Sequence, residues 1–383
     1  MAACALLFSN CQKETDWVSE KTAKADMLDG SDIDAEGGGG GGATNYTMPD
    51  ETQVHEGTWL QFPHHYQYGT TYRNRLINTW VAMTKELRTS ERVHIIAYNL
   101  THKNWIISKL NAAAVPLSNI DFHIFQTNDV WVRDNGPIFV EDAAGNLKVE
   151  DWGFNGWGNK AAFGKCNLIP QKIGIAISMP VVNLNGTMKV EGGAFEVDGN
   201  GTLMATRSAI LNNNRNPSMT QAQAETIFET NIGATNFIWL NGVAGLEITD
   251  MHIDGFARFG NQNTIVTMNN DDLLYWEVPA ADISTLYNAQ DADGNPYNFI
   301  YLPLTQNNVL TSYGQNLGYK GSYVNYYVAN NKVLVPEYND PNDIVAKNIL
   351  QSLYPTRTVV GIDVRNLYAN GGMVHCVTQQ QPL

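Results

Sequence analysis

Basic residues are scarce in this chain of 383 residues: 24 Lys and Arg stand against 38 Asp and Glu, a formal net charge of −14. Such a balance repels phosphate backbones, so nucleic acid is excluded as a partner and a cationic one is left open. Cysteine is nearly as rare, with four in all, which excludes a scaffold held by disulfides. No apolar run approaches the ~20 residues of a membrane-spanning helix. What the chain does have is a hydrophobic content of 43%, ample for a large core and incompatible with a disordered chain.

The acidity is unevenly placed. Residues 1–45 hold eight acids and three lysines, which is −5 of the total and leaves −9 for the remainder. The chain opens on a short apolar stretch that ends at Asn10-Cys11. That pattern resembles a bacterial lipoprotein signal, in which the cysteine becomes the lipidated terminus. The expectation is a signal over residues 1–11 with Cys11 as the lipidation site. No Lys or Arg precedes the apolar stretch, as expected if the true start lies upstream. An acidic segment follows and ends in Gly37 to Gly42, so residues 12–45 are expected to form a flexible tether. This places the protein in the cell envelope, attached to a membrane through its lipid alone. If the N-terminus is no signal, the location is cytoplasmic.

Residues 46–383 show no linker-like composition and are taken as one catalytic domain. Helical and strand patterns alternate through it. Leu76, Ile77, Trp80, Val81, Thr84 and Leu87 recur at helical spacing, and Val93–Tyr98 is a short β-branched run. Lys103–Ala114 is a further helix and Ile120–Phe125 a further strand. Ser218-x-x-Gln221 has the form of a capping box opening a helix that runs to about Asn231. Asn342–Leu353 is helical and Thr358–Ile362 is a strand. The pattern is that of an α/β fold.

Chemistry-bearing residues cluster where apolar strands meet glycines: Asp129-Val-Trp131-Val-Arg133-Asp134, Glu191-Gly-Gly193, His252-Ile-Asp254 and Gly371-Gly372-Met-Val-His375-Cys376. Cys376 is the candidate nucleophile. A free cysteine is most often a small buried hydrophobe, and as a nucleophile it needs help to reach the thiolate. His252 and Asp254 would face the same side of a strand, as an acid/base beside a carboxylate would. His375 suits packing as well as chemistry, and Asp134 beside Arg133 could equally form a plain ion pair. No further His or Cys stands at ligand spacing, so no metal site is expected. Three carboxylates, a histidine, a thiol and an aromatic wall at Trp131 together suit a planar guanidinium, which carboxylates grip through paired N–H groups. A thiolate attacking its central carbon while histidine protonates the departing nitrogen would be deimination.

The motifs also resemble a known family. Trp131-Val-Arg-Asp134-Asn-Gly-Pro137, Gly153-Phe-Asn155-Gly-Trp157-Gly158, Glu191-Gly-Gly193 with Asp198-Gly-Asn-Gly-Thr202, and Asn212-Asn-Asn-Arg215-Asn-Pro217 occur in that order. Ile248-Thr-Asp-Met-His252-Ile-Asp254 and His375-Cys376-Val-Thr-Gln-Gln-Gln-Pro382 complete the set. The sequence is similar to the agmatine deiminases and bacterial peptidylarginine deiminases of the guanidine-modifying superfamily. The resemblance implies a five-bladed α/β propeller, or pentein, of ββαβ units around a central site. It implies Cys376 as nucleophile, His252 as proton carrier and Glu191 as its orienting partner. Asp134 and Asp254 would hold the guanidinium, Trp131 would wall the slot, and no cofactor would be needed. Agmatine is the substrate the motifs suggest. Peptidyl or free arginine is the alternative, which an exported location favours, but its carboxylate calls for a cation near the slot. Lys160 and Lys165 are the candidates for that cation. Two positions depart from the family: Met251 replaces a common glycine, and Asn159 follows Gly158 where a further glycine is frequent. Cys166 is expected to be a structural thiol remote from Cys376.

Overall fold

The computed structural model describes residues 45–383; the expected signal, Cys11 and nearly all of the tether lie outside them. Five separate sheets are built from one recurring unit, in which an antiparallel strand pair is followed by a parallel strand reached through a helical crossover. Strands β4 (Ile138–Glu141), β5 (Leu147–Asp151) and β6 (Val181–Asn183) form one sheet. Strands β7 (Phe195–Val197), β8 (Thr202–Thr206) and β9 (Asn236–Leu240) form the next. A third holds β10 (Ala257–Asn261), β11 (Thr264–Thr267) and β12 (Asn298–Tyr301), and a fourth holds β13 (Tyr327–Val328), β14 (Lys332–Glu337) and β15 (Thr358–Asp363).

The remaining sheet joins the two ends of the described chain. β1 (His55–Gln61) pairs in parallel with β2 (Arg92–Ala97) and antiparallel with β16 (Gln379–Pro382), while β3 (Ile120–Ile124) extends it at the far edge. The C-terminal strand thus supplies the first sheet with the antiparallel member that the other four take from their own hairpins. This count of five ββαβ units agrees with the α/β architecture expected from the motifs.

Helix α1 (Gly69–Leu87) crosses from β1 to β2 and buries Leu76, Ile77, Trp80, Thr84 and Leu87 of the predicted stripe together with Met83, while Val81 is only half-buried. Complete burial of side chains of this size stabilises by roughly 1.5–3 kcal/mol each. Helices α2 (Leu100–Ala112), α3 (Ile169–Ala176), α4 (Gln221–Ile232), α5 (Ala280–Tyr287) and α6 (Asn342–Leu353) make the other main crossovers. The capping box of α4 lies two residues beyond the predicted one. Thr220 Oγ1 accepts from Gln223 N and the Gln223 side chain accepts from Thr220 N, whereas Ser218 adopts φ +64° in the preceding turn. The helix ends at Gly233, whose φ of +78° suits a residue without a β-carbon. No helix among the described residues is long and apolar enough to cross a membrane.

Candidate active site

A structural repeat invisible as sequence identity places the chemistry. In each of the five sheets, the segment just before the antiparallel strand carries one polar residue toward a common centre. Asp134 precedes β4, Glu191 precedes β7, Asp254 precedes β10, Asn325 precedes β13 and Cys376 precedes β16. Short helical turns, not strands, hold most of these residues. Asp134 lies in the turn Val132–Asn135, Asp254 in Ile253–Gly255 and Cys376 in His375–Val377. This corrects the expectation that His252 and Asp254 alternate along a strand: His252 is the cap of the turn containing Asp254.

The glycines explain how the segments approach so closely. At Gly192 a β-carbon would overlap the carbonyl of Arg133, and at Gly372 it would overlap the Trp131 ring beside Cys376. At Gly193 it would stand 2.7 Å from His252 Nδ1, 2.8 Å from Asp134 Oδ1 and 3.1 Å from Asp254 Oδ2. The bare backbone of Gly193 therefore forms one wall of the cradle defined by these three side chains, and its N–H donates to Asp134 Oδ1 at 3.2 Å.

His252 Nε2 lies 3.2 Å from Glu191 Oε2, and its Nδ1 lies 3.6 Å from Asp134 Oδ1. Burial alone would favour the neutral ring, but Asp134 and the hydrogen bond to Glu191 override it and raise the histidine to about 9. Glu191 is lowered despite burial, because His252 and Arg215 surround it, with Arg215 Nε donating at 3.0 Å. Asp134 is pushed up to about 6, first by burial and then against His252 by Asp254 and Glu191. Its other oxygen accepts from Trp157 Nε1 at 2.9 Å. Asp254 is lowered because His375, 2.8 Å away, outweighs burial.

The Cys376 thiol is raised well above its ordinary range by burial and by Asp254 and Asp134. Its Sγ is 3.4 Å from Asn325 Oδ1 and 3.9 Å from Asp254 Oδ2. Arg133 does not form the plain ion pair with Asp134 that was the alternative to a binding role: it turns to Glu51 at 3.1 Å and to Gln380 at 2.8 Å. Trp131 is buried, with its ring on Gly372 next to Cys376. Cys166 is buried with a free thiol that accepts from Asn128 N at 3.2 Å, and burial pushes it up to about 12. Among the described residues, no group of three or more His, Cys, Asp or Glu could hold a metal ion.

Sequence reasoning gave no role to Asn325, Arg215, Trp157 or Glu51. Asn325 Oδ1 accepts from the backbone N–H of both His375 and Cys376, at 3.0 and 3.3 Å, while its Nδ2 donates to the carbonyl of Asp254 at 3.1 Å. It has no charged neighbour in the sequence to draw attention to it. Arg215 and Trp157 sat within the quoted motifs, which was the available signal.

Both departures from the family's glycines keep the backbone that a glycine would provide. Met251 has φ +74°, and Asn159 has φ +62° in a run with Trp157 at +54° and Gly158 at +82°. Asparagine enters this region readily. Methionine does not, so strain is stored one residue before His252.

A thiol, an imidazolium and a fan of carboxylates joined by a ββαβ repeat define a guanidinium-directed member of the α/β deiminase class. The chain belongs to the Porphyromonas-type peptidyl-arginine deiminase family, whose model matches residues 47–382. It is similar to the agmatine deiminase of Pseudomonas aeruginosa (strain LESB58), at 30% identity over 363 residues covering 89% of this chain and 96% of that protein. Among solved structures, the agmatine deiminase of Enterococcus faecalis superposes with a TM-score of 0.77 at 25% identity, over 89% of this chain and 98% of that one. A substrate-bound agmatine deiminase of C. jejuni superposes at 0.75 and 26% identity, over 88% and 96% of the two chains.

Proposed function

We propose that the protein hydrolyses the guanidinium group of agmatine to N-carbamoylputrescine and ammonia. The observation that carries this is the cradle at Gly193, where Asp134, Asp254 and His252 converge within 3.1 Å of one point. Carboxylates at this range suit the N–H groups of a planar cation. The named relatives with agmatine deiminase activity support the choice of substrate.

Burial, with Asp254 and Asp134 beside it, holds the Cys376 thiol protonated. The positive charge of a bound guanidinium offsets the two anions and stabilises the thiolate, so the thiol proton leaves to solvent. The thiolate forms a bond to the guanidinium carbon. The His252 imidazolium gives its proton to the departing nitrogen, and the C–N bond breaks to release ammonia. Neutral His252 then takes a proton from water as its oxygen bonds to the thiouronium carbon. Collapse expels the thiolate and leaves the ureido product. Glu191, fixed by Arg215, holds the ring through both transfers.

The two lysines that could receive a substrate carboxylate are engaged elsewhere. Lys160 Nζ donates to Asp250 at 2.7 Å and to the Ile248 carbonyl at 3.0 Å, and Lys165 Nζ donates to Tyr98 Oη at 2.5 Å. This favours an amine with no carboxylate over arginine. The test is LC–MS on a panel of agmatine, free arginine and a C-terminal arginine peptide. The ureido amine from agmatine is the expected main product. Brisk citrulline formation with no ureido amine would overturn the assignment.

A further inference from the structure

Glu51 belongs to the segment ahead of β1, outside the cradle, yet two arginines and a histidine converge on it. Arg133 Nη2 lies at 3.1 Å, Arg258 Nη2 at 3.0 Å and His375 Nε2 at 2.8 Å, while its other oxygen accepts from Val328 N at 2.8 Å. The two arginines have further anchors, in Gln380 and Glu196, each at 2.8 Å. His375 does not face solvent: its side chain is 2% exposed. Its second nitrogen, Nδ1, lies 2.8 Å from Asp254 Oδ2. A ring with one proton can donate to one carboxylate only, so two carboxylates at hydrogen-bond distance call for a proton on each nitrogen.

We propose that Glu51 is a positioning residue acting through His375: it fixes the ring as an imidazolium and so keeps Asp254 charged and aimed at the guanidinium beside Cys376. This rests on the deiminase reading of the site. The chain of contacts is short. His375 is the neighbour of Cys376 in sequence, and both backbone N–H groups share Asn325 Oδ1. Without the cation beside it, Asp254 keeps only the charges of His252 and Arg258 against its burial, which favours its neutral form and weakens the clamp. The charged and titratable groups facing this relay are Glu51, Asp254, Cys376, Arg133 and Arg258, with His252 acting on Asp254 and Tyr327 on Glu51.

The test uses the variants Glu51→Gln and His375→Asn, the second retaining a neutral donor near the Nδ1 position. In E51Q, His375 loses the partner that keeps its second proton. kcat/KM for agmatine is expected to fall about 10- to 100-fold at pH 8, the range seen when the partner of a buried functional ligand is removed. A new alkaline limb, absent from the wild-type profile, should then appear in E51Q. H375N should lose activity at every pH without that new limb. NMR of the labelled His375 ring provides a readout without substrate: protons on both nitrogens at neutral pH in the wild type, and one at pH 8 in E51Q. A singly protonated ring in the wild type overturns the proposal whether or not agmatine is turned over, and also if E51Q fails to fold. A uniform loss in E51Q with unchanged limbs overturns it as well, because that is the mark of a merely structural carboxylate. Absence of agmatine turnover by the wild type, with the ring doubly protonated, would instead contradict the assigned function.

Discussion

Replacing Gly193 with alanine places one methyl group in the cradle proposed to receive the guanidinium. The φ of Gly193 is not positive, so alanine meets no backbone obstacle. Its β-carbon would stand 2.7 Å from His252 Nδ1 and 2.8 Å from Asp134 Oδ1. Ordinary non-bonded contact is about 3.5 Å, so the groups must separate by roughly 0.7 Å or the substrate must sit further out. A displacement near 1 Å can cost about 10²-fold in rate. Losing one hydrogen bond to a charged group adds about 1.5–3 kcal/mol. The combined expectation is a fall of roughly 10³- to 10⁴-fold in kcat/KM, about 4–6 kcal/mol of transition-state stabilisation. Folding should be destabilised by about 1–3 kcal/mol, as overpacking of a tightly filled site is. Ammonia release from agmatine measures the first quantity and urea denaturation the second. A variant within threefold of wild-type kcat/KM would refute the placement of the guanidinium against Gly193.

Activity should follow a bell-shaped pH profile. Asp134 must be ionised, so kcat/KM falls as pH drops through about 6, and His252 must carry its proton, so it falls again as pH rises through about 9. A single limb, or limbs far from these values, would remove one of the two assignments. Arg215→Met removes the cation that Glu191 and Asp250 share in the interior and leaves them only His252 and Lys160 respectively. Breaking a buried pair from one side costs about 3–5 kcal/mol, which urea denaturation would register alongside a fall in kcat. Met251→Gly relieves a backbone held at φ +74° but deletes a side chain that is 4% exposed. Relief of about 1–2 kcal/mol competes with a loss of about 2–5 kcal/mol, so net destabilisation is expected, and a stabilised variant would mean that strain outweighs packing.

The alternation of helices and strands was legible because α1 keeps its apolar stripe at Leu76, Ile77, Trp80 and Leu87, and β2 and β15 are short β-branched runs. Local signals were less exact where two polar residues competed. Ser218 and Thr220 both suit a cap, and the left-handed turn at Ser218 leaves the role to Thr220. Cys376, His252, Asp134, Asp254, Glu191 and Trp131 could be singled out because each adjoins a glycine or a strand end. Their convergence could not be read from spacing, since it follows from five sheets each presenting one lead-in segment to the same place. Asn325, between Val324 and Tyr326, carries no charge or motif, and Glu51 is remote in sequence from all its partners. Their roles exist only in three dimensions.

Covalent attachment of the substrate to Cys376 is the central claim, and acid-quenched mass spectrometry tests it most directly. Protein mixed with agmatine and stopped within a turnover should gain the mass of agmatine less ammonia, on the peptide containing Cys376. Cys376→Ala should gain nothing and release no ammonia. Ammonia release by that variant at the wild-type rate would contradict the account.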